Sequence, residues 1–85
     1  MTVRIRYLSA LRDTTHVRME EASFADGATL TEVSAFLAGK YGIRVPGPSI
    51  MGTVNGRGWS QTPQGAATEL REGDEIALFP LLSGG

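Results

Sequence analysis

The residues that could do chemistry in this chain stand at its end, in Leu78-Phe79-Pro80-Leu81-Leu82-Ser83-Gly84-Gly85. The reactive group there is the carboxylate of Gly85. A free carboxylate is a poor electrophile, because its charge is delocalised and its leaving group is oxide. It must first be activated, as an anhydride with a good leaving group, before a nucleophile can attack it. Glycine carries no Cβ, so Gly84 and Gly85 can thread a narrow channel and take backbone angles barred to other residues. The six residues from Pro80 to Gly85 span about 20 Å when extended, at ~3.3–3.6 Å each. That reach is long enough to carry the carboxylate into another protein's active site. An inert end that happens to be glycine is the alternative.

The residues just before the glycines are apolar, whereas a frayed terminus is usually polar. Phe79, Leu81 and Leu82 either cover a sheet edge or form an exposed patch for a partner, and apolar surface patches commonly mark interfaces. On the docking reading, Phe79, Pro80, Leu81, Leu82 and Ser83 are the partner-binding set. Pro80 fixes φ where the chain leaves its last strand.

Other chemistry finds little support. There are no cysteines, hence no disulfide, thiolate metal site or thiol nucleophile. His16 stands alone, so a surface histidine is expected and no metal site. Ser9 and Ser83 have no partner base. Glu72, Asp74 and Glu75 look like turn residues, and no glycine-rich phosphate loop is present. Arg4 and Arg6 share one strand face and could meet acids of a partner, though a solvated face is the commoner outcome. Trp59 is expected to pack. No internal catalytic centre and no bound cofactor are expected.

The elements that must position the tail follow from pattern. A length of 85 residues allows one domain. A net charge of −1 makes no electrostatic case for nucleic acid or a membrane surface as partner. No apolar run approaches the ~20 residues of a membrane helix, and Arg4 and Arg6 interrupt any signal-like start. A cytoplasmic location is expected. Lys40 is the only lysine, against seven arginines; composition bias is the favoured reading, and sparing an activated carboxyl from amines the alternative.

Thr2 to Leu8 alternates with the period of a half-buried strand, and His16 to Glu21 alternates again, with Val17 and Met19 as its apolar side. Ser9 to Thr15 lies between them as a turn or short helical segment. Thr29-Leu30-Thr31-Glu32 fits a capping box. Leu30, Val33, Phe36, Leu37 and Tyr41 then recur at helical spacing, and Gly42 suits the turn after the last residue. Ile50 to Val54 is a third strand, Asn55-Gly56 a tight turn, Arg57 to Ser60 a short fourth strand, residues 61–69 a loop with at most one helical turn, and Glu75 to Phe79 the last strand. The order predicts an α+β fold: a mixed four- to five-stranded sheet on one main helix, first and last strands parallel at its centre, the β-grasp plan. Residues 1–79 form the domain and 80–85 a flexible tail.

Leu70-Arg71-Glu72-Gly73-Asp74-Glu75-Ile76-Ala77-Leu78-Phe79-Pro80, followed by Ser83-Gly84-Gly85, resembles the C-terminus of the ubiquitin-like sulfur carriers. The resemblance is nearest to the small subunit of molybdopterin synthase, with the thiamine-pathway and cysteine-pathway carriers beside it. Val54-Asn55-Gly56 matches that family's Val-Asn turn. Leu81-Leu82-Ser83 and the longer 61–69 loop depart from it. The resemblance implies that a ubiquitin-activating-like enzyme adenylates Gly85 with ATP. It further implies that a sulfurtransferase or sulfide source converts Gly85 to a thiocarboxylate, and that the large subunit of molybdopterin synthase or another acceptor enzyme receives the sulfur. A protein modifier, joined to target lysines through Gly85, is the alternative the same carboxyl allows.

Overall fold

A computed structural model of the chain describes residues 1–81. Leu82, Ser83, Gly84 and Gly85, with the roles expected of them, lie outside the described residues. Strand β1 (Thr2–Tyr7) is followed by the short helix α1 (Leu11–Thr15), β2 (Met19–Ser23), the main helix α2 (Leu30–Tyr41), β3 (Ile50–Val54), β4 (Arg57–Gly58) and β5 (Glu75–Pro80). Two single 3-10 turns, Trp59–Gln61 and Gly65–Ala67, lie between β4 and β5. The sheet order is β2-β1-β5-β3-β4. β1 and β5 run parallel at its centre, with Ile5 opposite Ile76 and Tyr7 opposite Leu78. The expected β-grasp architecture is the one observed.

Helix α2 forms where its signals place it. Thr29 accepts from the backbone N–H of Thr31 at 3.2 Å, and Glu32 accepts from the backbone N–H of Thr29 at 2.6 Å. Gly42 closes the far end with its N–H on Ala38. Leu30, Val33 and Leu37 are buried against Val3, Ile5, Tyr7, Ile76 and Leu78 of the two central strands. Each such side chain contributes roughly 1.5–3 kcal/mol by leaving water, so this layer holds the sheet in one shape.

Strands β2 and β4 depart furthest from the sequence reading, and β1 ends at Tyr7, one residue short of Leu8. β2 begins at Met19, not His16. α1 ends at His16 with a left-handed φ of 64°, and Thr15 Oγ1 donates to the Val17 carbonyl at 2.8 Å. This C-terminal turn consumes His16 to Arg18 before pairing starts. Its register sets Glu20 opposite Ile5 and Ala22 opposite Val3, so Glu20 and Ala22 take the core side. Met19, opposite Arg6, is 43% exposed, and Val17 is exposed too. The period of two was right and the face was inverted. β4 stops after Gly58, because the chain turns at Trp59 to bury the indole.

The last strand runs one residue past the expected end. Leu8 donates its N–H to the Leu78 carbonyl at 2.9 Å on the β1 side, and Leu81 donates to the Ser49 carbonyl at 2.7 Å beside β3. By alternation, the position of Pro80 that lacks an N–H falls on the β1 side, beyond Tyr7, the last residue of β1. No ladder bond is lost there, which is why a proline is tolerated in a central strand.

Candidate docking face and the root of the tail

The face of the sheet away from α2 is open. Alternation along β5 sends Ile76 and Leu78 into the core and Glu75, Ala77 and Phe79 to the open face. Phe79 is half-buried and stands opposite Met51 of β3, which is exposed. On the other side of β5, Leu8 continues the outward phase of Thr2, Arg4 and Arg6, and it is exposed as well. Leu8, Phe79 and Met51 thus form an apolar row across three adjacent strands. Leu81, 42% exposed, follows Pro80 at the same end of the sheet. Leu81, the last described residue, donates its N–H to the Ser49 carbonyl beside this row.

Of the predicted docking residues, Phe79 lies on the open face, Pro80 is half-buried opposite Ile50, and Leu81 is exposed. Leu82 and Ser83 lie outside the described residues, as do Gly84 and Gly85. Sequence reasoning missed Leu8 and Met51. Both carried a signal: each is a large apolar residue in the polar phase of its strand, beside Arg4 and Arg6 in one case and Thr53 in the other. A core requirement does not account for such a residue, whereas a surface patch does.

The start of β5 is fixed by two turns locked together. Asn55 (φ 50°) and Gly56 (φ 85°) form the hairpin turn between β3 and β4, with both residues left-handed as a type I′ turn requires. Asn55 Nδ2 donates to Asp74 Oδ1 at 3.0 Å, and Asn55 Oδ1 accepts from the Glu75 N–H at 3.0 Å. Asp74 Oδ2 also accepts from the Arg71 N–H at 2.8 Å, and Glu72 accepts from the Thr2 N–H at 2.9 Å. Asp74 and Glu72 thus tie the turns of this segment together, as turn residues do.

Among the described residues one carboxylate is unusually placed. Glu20 accepts hydrogen bonds from Tyr7 Oη at 2.7 Å, from Tyr41 Oη, and from Lys40 Nζ at 2.7 Å. Burial alone pushes its pKa up, but the bonds from Lys40, Tyr41 and Tyr7 outweigh that and hold the carboxyl below its usual range. Burial, then Glu20, pushes the Tyr7 hydroxyl far up, and the same causes raise Tyr41. The cluster ties β2 to β1 and α2. His16 is exposed, as expected for a histidine without ligand neighbours. Among the described residues, no group of three His, Asp or Glu side chains could hold a metal ion, and no helix is long and apolar enough to cross a membrane.

Comparison with protein families matches residues 5–85 to the ThiS family, a span that takes in both terminal glycines. The chain belongs to the ThiS family. It is thereby one of the ubiquitin-like sulfur carriers and modifiers that the Gly-Asp-Glu turn and Gly-Gly end resemble. No curated protein matches it. Among solved structures, the Haloferax volcanii HVO 2177 protein is 26% identical, with a TM-score of 0.81 over 100% of this chain and 87% of that one. Small archaeal modifier protein 1 from Methanosarcina acetivorans is 24% identical, with a TM-score of 0.80 over 99% and 96% of the two chains. A complex of subunits 1 and 2 of molybdopterin-converting factor from Helicobacter pylori matches at 24% identity and a TM-score of 0.69, covering 100% of each chain. The last two likenesses establish the shared fold.

Proposed function

We propose that this protein is a sulfur carrier whose Gly85 carboxyl is adenylated and then converted to a thiocarboxylate. A carboxylate oxygen attacks the α-phosphorus of ATP on a separate ubiquitin-activating-like enzyme, and pyrophosphate leaves. Hydrosulfide then attacks the acyl carbon and AMP leaves, so that sulfur replaces one carboxyl oxygen. A persulfide on a sulfurtransferase can deliver the same sulfur, its S–S bond being cleaved afterwards by a thiol. The observation that carries this reading is the family match running through Gly85, on a chain whose last strand ends beside an exposed apolar row. The row gives a partner something to grip while the tail enters its active site.

The acceptor we favour is the large subunit of a molybdopterin synthase, with this chain as its small subunit. The likeness to a subunit 1 and 2 complex of molybdopterin-converting factor supports that pairing. Conjugation through Gly85 to lysines of other proteins is the second reading, supported by the likeness to a small archaeal modifier. Thiamine or cysteine synthesis would use the same carrier chemistry.

Intact-mass spectrometry after incubation with ATP, an activating enzyme and sulfide tests the chemistry. The expected result is a shift equal to replacing one oxygen by sulfur, absent without ATP and absent when Gly85 is deleted. No shift, with the enzyme active on another carrier, overturns the carrier reading for that pair. Higher-mass adducts that need Gly85 favour conjugation.

A further inference from the structure

The open sheet face carries a second feature beside the apolar row. Arg4, Arg6, Arg12 and Arg18 line one hollow, together with Tyr7, Leu8, Met19 and a single carboxylate, that of Glu75. The arginines come from three places in the chain: β1, α1 and the turn before β2. Four of the chain's seven arginines therefore gather at one spot in a protein of net charge −1. The fold brings them together. Alternation sends Arg4 and Arg6 outward, and the Tyr7 N–H on the Arg18 carbonyl at 2.8 Å fixes the turn carrying Arg18 alongside.

Their own side chains leave most of this charge unspent. Among the described residues, Arg6 is the one of the four with an ion pair, to Glu75 at 3.2 Å, and both groups are about half exposed. Arg12 Nε donates to the Ser9 carbonyl at 3.2 Å, leaving the rest of its fork free among the described residues. Glu21 stands opposite Arg4 in the ladder, yet no ion pair joins them. Guanidinium forks match carboxylates in a planar, two-bonded geometry. The hollow also exposes Leu8 and Met19, at 38% and 43%. A polyphosphate or nucleic-acid backbone would leave those two side chains facing water, whereas a peptide segment with carboxylates and an apolar side chain satisfies both parts of the lining.

We infer that this hollow docks an acidic segment of a partner protein, one with carboxylates beside an apolar residue. Complementary charge at this point steers the encounter and sets the orientation of the sheet face. The inference does not depend on what becomes of Gly85, and its test needs neither ATP nor an activating enzyme.

The test is an amide-resolved NMR titration of the full chain with a short blocked peptide of alternating Glu and Leu. The same peptide with Gln for Glu, and an oligothymidylate of matched length, serve as rival probes. Saturable shifts are expected at Leu8, Arg12, Arg18 and Met19, with the Glu peptide only, weakening by about tenfold as salt screens the charges. Arg4→Glu and Arg18→Glu, both at exposed positions, are expected to abolish the shifts. Arg57→Glu and Arg71→Glu, which line a different cleft, are expected to leave them. The inference is overturned if the Gln peptide binds as well, if the oligothymidylate binds more tightly, if the Arg57 and Arg71 variants weaken binding equally, or if no saturable shift occurs.

Discussion

Asn55 reaches across to Asp74 at 3.0 Å, and that bond joins the hairpin turn of β3–β4 to the turn that launches β5. Two motifs far apart in sequence, Val-Asn-Gly and Gly-Asp-Glu, prove to be halves of one clamp. Together they set where β5 begins, and so where Phe79 and Leu81 stand. Asn55→Ala removes both side-chain bonds and places a Cβ-bearing residue without a polar side chain at φ 50°. A loss of about 1–3 kcal/mol is expected in urea unfolding. Asn55→Gly relieves the backbone and still loses the bonds, so it should recover only part. Asp74→Ala should combine with Asn55→Ala less than additively, by about 0.5 kcal/mol or more, because both remove the same bond.

Gly52 and Trp59 give the sharpest steric prediction. A Cβ built on Gly52 lies 2.8 Å from Trp59 Cε2 and 3.1 Å from Leu78 Cδ2. The indole is buried against the bare backbone of β3, and its Nε1 has no partner among the described residues. Gly52→Ala must displace the ring, at a cost of about 1–3 kcal/mol, with a change in tryptophan fluorescence. Gly39, on the exposed side of α2 with open space around it, should behave oppositely. Gly39→Ala is expected to stabilise by about 0.5–1 kcal/mol. Equal effects of the two substitutions would refute the steric account.

These two cases mark what the sequence made legible. Helix α2 was readable to the residue because its capping box and Gly42 are local signals. The parallel pairing of β1 and β5 followed from element order. The face of β2 was not readable, since Val17 and Met19 look like core residues until the turn after α1 shifts the register. Nothing near Glu20 in sequence announces a carboxylate on the core side, because its donors come from β1 and α2. Gly52 did carry a signal, an isolated glycine inside a strand, which marks close approach of another group.

The Glu20 cluster predicts a pH dependence at both ends. Burial first, and then Glu20, raises the Tyr7 pKa in the folded chain, while the unfolded chain ionises it near pH 10. Its stabilising share is therefore whole below about pH 10 and declines as pH rises beyond it. Glu20 is shifted the other way, so its share is present above its unfolded pKa and is lost as pH falls through its lowered folded value. Tyr7→Phe should lower the melting temperature at neutral pH and flatten the alkaline decline. Glu20→Gln should flatten the acid limb. Unchanged alkaline slopes in Tyr7→Phe would exclude this assignment.

The apolar row makes a prediction that separates grip from chemistry. Leu8→Ser and Met51→Ser alter exposed side chains, so stability should change by no more than about 0.5 kcal/mol. If the row is what an adenylating enzyme holds, each variant should raise the concentration of carrier needed for half-maximal pyrophosphate release by about tenfold. Maximal turnover should stay near that of the unaltered chain, because the carboxyl reaching the nucleotide is the same. Deleting Gly84 and Gly85 should do the reverse: pyrophosphate release is lost, while the truncated chain still competes with the intact one for the enzyme. Should the serine variants be turned over with unchanged concentration dependence, the row is not the surface by which that enzyme holds its carrier.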